Sequence, residues 1–166
     1  MDASERARRA FSDHGSFEPA AEDGRYVSTS TAFDGVVTPT AAENGRIRFD
    51  VTVTVPTLGA AATEGVADVV EDGWFDAFRR RVTDVGGVTR KSREFEVDVT
   101  RRDETVVVET SLADVNERRG VDDAAAVIDF VEGTYVQGIV PGYEYEGPAA
   151  TLLSKARQQG QAGGAP

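Results

Sequence analysis

The sequence has no cysteine, which excludes a disulfide framework, thiol catalysis and cysteine-ligated zinc or iron–sulfur sites. It has one histidine, His14. A zinc site would therefore rest on carboxylates, which is uncommon for that ion. A Ser-His-Asp triad would need His14 itself, and no G-x-S-x-G elbow is present to carry the nucleophile. The GxxxxGK[ST] phosphate loop and the GxGxxG turn after a strand are also missing. No apolar run approaches the ~20 residues that span a bilayer. The opening "MDASERARRAF" lacks the apolar core of a signal peptide. The expectation is a cytoplasmic protein with no membrane association, no metal and no cofactor.

Lysine is nearly absent as well. Lys91 and Lys155 stand against sixteen arginines and 29 acidic residues, for a formal net charge of −11. The aliphatic residues are mostly Val and Ala. This composition fits a chain kept in solution in concentrated salt, where the Debye length is about 3 Å and carboxylate repulsion costs little. The plainer reading is an acidic bacterial protein from a GC-rich genome. The charge argues against sequence-independent nucleic-acid binding, which depends on a basic surface. The exceptions are Arg79-Arg80-Arg81, Arg101-Arg102 and Arg118-Arg119, which would have to converge to form one.

At 166 residues the chain has the length of one domain. It buries roughly 70% of its extended surface on folding, enough to need no staple. Residues 4–14 read as a helix capped by Asp2 or Ser4, with Ala7, Ala10 and Phe11 as its apolar stripe and Gly15 as its stop. Residues 16–24 read as a loop. "RYVSTSTAFDGVV" reads as one strand, and Asn44-Gly45 as a hairpin turn. In "RIRFDVTVTVP", Ile47, Phe49, Val51, Val53 and Val55 alternate with polar residues, giving one dry and one wet face. Residues 57–71 are ambiguous. A helix is expected from about Asp72 to Val85, with Trp74, Phe75 and Phe78 on its apolar side. Asp76, Arg80 and Asp84 have ion-pair spacing on the other side, and Gly86-Gly87 is the stop. A second hairpin joins "REFEVDV" to "ETVVVETSL" through Arg102, Asp103 and Glu104. A helix over 122–137, capped by Asp122 or Asp123, and a last helix from Pro148 to about Gln158 complete the count. Residues 160–166 read as a disordered tail behind a single domain, 1–159.

The expected fold is α+β and two-layered. A four-stranded antiparallel sheet carries helices on one face, in the order α-β-β-α-β-β-α-α.

Between the last two helices lies "VEGTYVQGIVPGYEYEGP". Gly138 is placed where a left-handed residue ends the helix, Ile139 packs back on the last turn, and Pro141 follows. Gly142 belongs to the same structural motif. Tyr143 and Tyr145 then share one face of an extended piece. His14, at a helix end, reads as structural. The candidate binding residues are Trp74, Tyr135, Tyr143 and Tyr145, and no residue is a catalytic candidate.

The blocks "VEGTYVQGIVPGYEY" and "VEDGWFDAF", with "FDGVV" followed by "FDVTVTVPTL", resemble those of a haloarchaeal protein family of unknown function. The resemblance covers nearly the whole chain and implies a cytoplasmic, high-salt setting. It supplies no catalytic residues. The element order also partly resembles the type III secretion chaperone-like fold, which binds polypeptides, although with a different strand count.

Two readings of function remain. The first is a non-enzymatic interaction or chaperone-like module with a protein partner or a second copy of itself. The alternative is a small-ligand-binding protein or enzyme with an aromatic-lined pocket between sheet and helices.

Overall fold

The computed structural model describes residues 2–22, 24–85, 93 and 95–163, the last five by their backbone alone. Helix α1, Ala3–His14, starts at Asp2, whose side chain accepts from the Glu5 amide at 2.8 Å. It ends at Gly15, whose φ of +82° is a left-handed stop. Ala7, Ala10 and Phe11 are its buried stripe, as the spacing predicts.

Among the described residues six strands follow, all paired antiparallel in the order β1-β2-β3-β4-β6-β5. They are β1 Phe17–Pro19, β2 Tyr26–Ser28, β3 Asp34–Ala41, β4 Ile47–Pro56, β5 Asp98–Arg102 and β6 Thr105–Asp114. The expected four strands and their order are therefore corrected. The presumed loop at 16–24 contains β1. The single strand read from "RYVSTSTAFDGVV" is two, interrupted at 29–33. There Ser28 and Thr31 hydroxyls bond each other at 2.9 Å, and Thr31 donates to the Phe33 carbonyl. Such local side-chain bonds compete with the ladder, and β-branching alone does not show it. The partial likeness to the secretion-chaperone fold rested on the expected order and loses that support.

The Asn44-Gly45 turn is as read. Both residues have positive φ, +60° and +72°, and Ala41 pairs with Ile47 across it. Ile47, Phe49, Val51, Val53 and Val55 are buried while their alternate positions are exposed or half-buried. On β6, Val106, Val108, Thr110, Leu112 and Asp114 continue this dry face.

Helices α1 and α4 (Glu117–Gln137) both pack on it. Phe11 stacks on Tyr26 at 4.0 Å and meets Phe49 edge-on at 6.0 Å. A Cβ on Gly120 of α4 would fall 2.2 Å from the Phe49 ring. Gly35 of β3 also lies close to α4, with a Cβ there 2.9 Å from Ile128. These two glycines set how near the helix approaches the sheet.

The remaining helices are α2 Leu58–Ala61, α3 Asp68–Val82 and α5 Gly147–Gly163. Helix α3 begins four residues before the expected start. Within the helix Arg79 pairs with Asp76 at 3.6 Å, while Arg80 bonds the Asp76 carbonyl. The Gly86-Gly87 stop lies outside the described residues. Helix α4 begins five residues before the expected start, because Asn116 caps it by accepting from the Arg119 amide at 2.9 Å. Asp123 is not a cap but is buried inside the helix. The first strand of the second hairpin is also shorter than expected. Phe95 and Val97 are half-buried but precede the ladder, which starts at Asp98. Helix α5 reaches Gly163, past the expected end, and 164–166 of the expected tail lie outside the described residues.

Candidate functional site

Of the four aromatics named from sequence, two are brought into direct contact in the core. Trp74 of α3 stacks on Phe78 at 5.4 Å and meets the edge of Tyr135 at 5.5 Å. Tyr135 of α4 is fully buried and also packs edge-on against Phe33 at 4.7 Å. Ring lies on ring, so these residues fill the space between α3 and α4. Both carry a buried polar atom without a hydrogen-bond partner, Trp74 Nε1 and Tyr135 Oη. Burial, and then the neighbouring Tyr145, push the Tyr135 phenol far above its ordinary value.

The other two, Tyr143 and Tyr145, are half-buried in the connection from α4 to α5. This loop is tied down at its far end. Tyr145 bridges to Ala62, Thr63 donates its amide to Glu144 at 2.8 Å, and Glu146 donates to Ala61 at 2.9 Å. Tyr145 Oη donates to the Val140 carbonyl at 2.5 Å, folding the loop on itself. Burial is the leading cause raising the Tyr145 phenol, with Tyr143 adding to it. Tyr143 is thus carried on a braced loop, beside the exposed Pro141 and Gly142.

The backbone of the helix stop differs from the expected motif. Gly138 caps α4 with φ −91° and ψ −2°, in the right-handed region. The left-handed residue is Gly142, at φ +97°. A Cβ on Gly138 would meet Thr134 O at 3.5 Å, and Arg81 Nη1 and Trp74 Nε1 each at 3.7 Å. These are ordinary contacts, so neither φ nor space demands glycine here.

Surface clefts lie elsewhere. One of about 270 Å³ is lined by Ala77, Arg80, Arg81 and Asp84 on α3 and just beyond. Another of about 240 Å³ lies on the wet face of the sheet, bordered by Asp50, Thr52, Glu96, Asp98 and Glu109. Among the described residues, no group of three His, Cys, Asp or Glu side chains is placed to hold a metal ion. His14 pairs with Asp122 at 3.3 Å, tying the end of α1 to α4.

The most buried polar chemistry was not foreseen. Arg93 donates from Nη2 to Asp114 at 2.5 Å, from Nε to Asp123 at 2.9 Å and from Nη1 to the Ala113 carbonyl at 2.8 Å. Arg119 grips Asp114 from the other side with two bonds of 2.7 Å. Burial alone would raise the Asp114 carboxyl. The bonds from Arg119, the Asn116 amide and Arg93 outweigh it and hold the group well below the carboxylate range. The sequence carries a signal for this: Asp114 falls on the dry-face period of β6, and a carboxylate there requires a buried partner.

A family model described as a family of unknown function, DUF5813, matches residues 12–155. The chain belongs to that family. No curated protein and no solved structure gives a match. For this DUF5813 chain, function must be argued from its own geometry. No helix among the described residues is long and apolar enough to cross a membrane.

Proposed function

We propose that the protein is a non-enzymatic interaction module, a single folded unit over 1–159 working in the cytoplasm of a high-salt organism. Its binding surface is the loop from Gly138 to Tyr145. The observation that carries this reading is the bracing of that loop. Two backbone hydrogen bonds to Ala61 and Thr63, which make up the Ala62–Tyr145 bridge, and the Tyr145–Val140 bond fix it, while Tyr143 stays half-exposed next to the exposed Gly142. A rigid loop presenting an aromatic ring loses little entropy when a partner covers it. Binding residues concentrate on loops held by a scaffold in this way.

The alternative, an aromatic-lined pocket, draws less support, because Trp74 and Tyr135 pack against each other rather than around a space. A nucleic-acid surface also draws little. Arg79, Arg101 and Arg118 each pair with a carboxylate, and Arg119 grips the buried Asp114. The partner is another protein or a second copy of the chain.

The test is recovery of partners from a molar-salt lysate, read by mass spectrometry. Wild type should retain a polypeptide that Tyr143→Ala loses without a change in melting temperature. Identical recovery by both proteins would overturn the reading.

A further inference from the structure

The sheet ends in β1 on one side and in β5 on the other. β1 is three residues long and ends in Pro19, which has no amide to offer. Among the described residues β5 pairs with β6 alone. Four of its five residues are exposed and Val99 is half-buried. One bond fixes which of its backbone groups point outward. Thr57 donates its amide to the carbonyl of Glu104, directly opposite, at 3.0 Å, so even-numbered residues of β6 bond β4 and odd-numbered ones bond β5. On β5 the inward groups are then those of Asp98, Thr100 and Arg102. The amides and carbonyls of Val99 and Arg101 point to the open edge.

The side chains along this edge are complementary to their own reverse. Arg101 is engaged within the chain: it pairs with Asp72 of α3 at 3.0 Å and lies over the Phe75 ring at 4.7 Å. Asp98 borders the cleft on the wet face, and Arg102 shares that face by the period of two. Both are exposed, and among the described residues neither forms an ion pair. They stand about 13 Å apart along the strand.

We propose that β5 is a dimer edge, on which a second copy of the chain adds its own β5 antiparallel about a two-fold axis through Thr100. A two-fold contact uses the same patch on both copies. With the axis at Thr100, Val99 of each copy faces Arg101 of the other. These are the residues whose backbone groups point outward, so each opposed pair can exchange both its bonds. On the wet face, Asp98 of each copy falls opposite Arg102 of the other, and Thr100 meets its own counterpart. Opposite charges across such a pair stabilise it, and like charges destabilise it. An axis through Arg101 would set that arginine against itself. An axis through Val99 would set Arg101 and Arg102 against Val97 and Glu96, which precede the strand. Charges on an edge strand usually keep other strands away. Here both signs are present, in the order that matches a reversed copy. The interface is separate from the 138–145 loop, and the inference does not rest on that loop's role.

The full chain is studied by sedimentation velocity over about 1 µM to 1 mM, at the lowest salt at which circular dichroism shows the full fold. Wild type should show a monomer–dimer equilibrium. Asp98→Arg and Arg102→Asp each set like charges opposite one another, and each should weaken dimerisation by about tenfold or more. Mixed together, the two variants are complementary across the axis and should associate as wild type does. Hydrogen exchange supplies a second readout on wild type itself. The amides of Val99 and Arg101 should slow as concentration rises, while that of Thr100, already bonded to β6, should not change. A chain that is monomeric throughout, single variants that dimerise like wild type, a mixture no stronger than its components, or Val99 and Arg101 amides indifferent to concentration would each overturn the proposal. So would loss of the dimer in Tyr143→Ala, which would move the interface to the loop.

Discussion

Tyr145 donates its phenolic proton to the Val140 carbonyl at 2.5 Å, and this bond folds the loop that carries Tyr143. The two tyrosines stand two residues apart but have different jobs. Tyr145 → Phe keeps the ring and removes one hydrogen bond, so it should cost about 1 kcal/mol. Tyr143→Ala should change stability by no more than about 0.5 kcal/mol, the range of surface substitutions. Urea unfolding midpoints of both variants check this. A loss of ~3–5 kcal/mol for Tyr143→Ala would place its ring in the core and leave nothing for a partner to grip.

Two glycines of α4 should respond in opposite directions. Gly120→Ala drives a methyl group into the Phe49 ring and should destabilise by ~1–3 kcal/mol or more. Gly133→Ala meets nothing within 4 Å and lies on an exposed turn of the same helix. It should stabilise by about 0.5–1 kcal/mol through helix propensity alone. Thermal unfolding of the pair, at the same salt, separates helix propensity from sheet contact. Equal effects would mean that α4 does not approach β4 as closely as described.

The alternating core strands could be read from the sequence because period-two burial leaves its mark on every residue. Ile47 to Val55 and Val106 to Leu112 are such cases. The caps of α1 and the Asn44-Gly45 turn were legible because Asp2, Gly15, Asn44 and Gly45 are residues whose chemistry suits only a few backbone positions. The short strand β1 was not, since three residues carry too little pattern and its order comes from pairing with β2, and β2 was read as one strand with β3. The start of α4 was misplaced because Asp122 and Asp123 have the same capping chemistry as Asn116, which holds the position. Only burial against Arg93 removes Asp123 from the choice. At the candidate site, Trp74 and Tyr135 touch each other in the core. Gly138 was given a left-handed conformation that Gly142 holds instead, because both glycines follow the helix and spacing cannot separate them.

Acid should unfold the protein through Asp114. Its folded pKa is depressed, so its stabilisation is present above the unfolded value near 4 and is lost as pH falls through the folded value. Glu117, lowered by hydrogen bonding at its own amide and to Arg6, acts in the same direction. Asp129 works oppositely. Burial raises it, with His14 opposing, so its contribution is present at low pH and fades as pH rises through its folded value. Stability measured from pH 6 downward should fall below about pH 4, and Asp114→Asn should flatten that fall. Asp114→Ala leaves Arg93 short of a buried partner and should cost ~3–5 kcal/mol at neutral pH. A wild-type acid limb unchanged in Asp114→Asn would show that the Arg93–Asp114–Arg119 cluster contributes nothing to it.

Low salt should weaken the fold. The net charge of −11 concentrates carboxylates on a small surface. At about 0.01 M salt the Debye length is ~30 Å and their repulsion is unscreened. Far-UV circular dichroism after dialysis from molar KCl to about 0.01 M should show loss of structure or a much lower melting temperature. An unchanged spectrum and melting temperature would refute the high-salt argument.

The interaction reading meets its most direct test in the affinity of the partner recovered from lysate, measured by titration calorimetry against wild type and Tyr143→Ala under the same salt. The account predicts at least about tenfold weaker binding for the variant, as for loss of an aromatic anchor worth more than 1 kcal/mol, at a melting temperature matching wild type. Equal affinity in the two proteins would contradict it and reduce the stretch from Gly138 to Tyr145 to a braced connection between two helices.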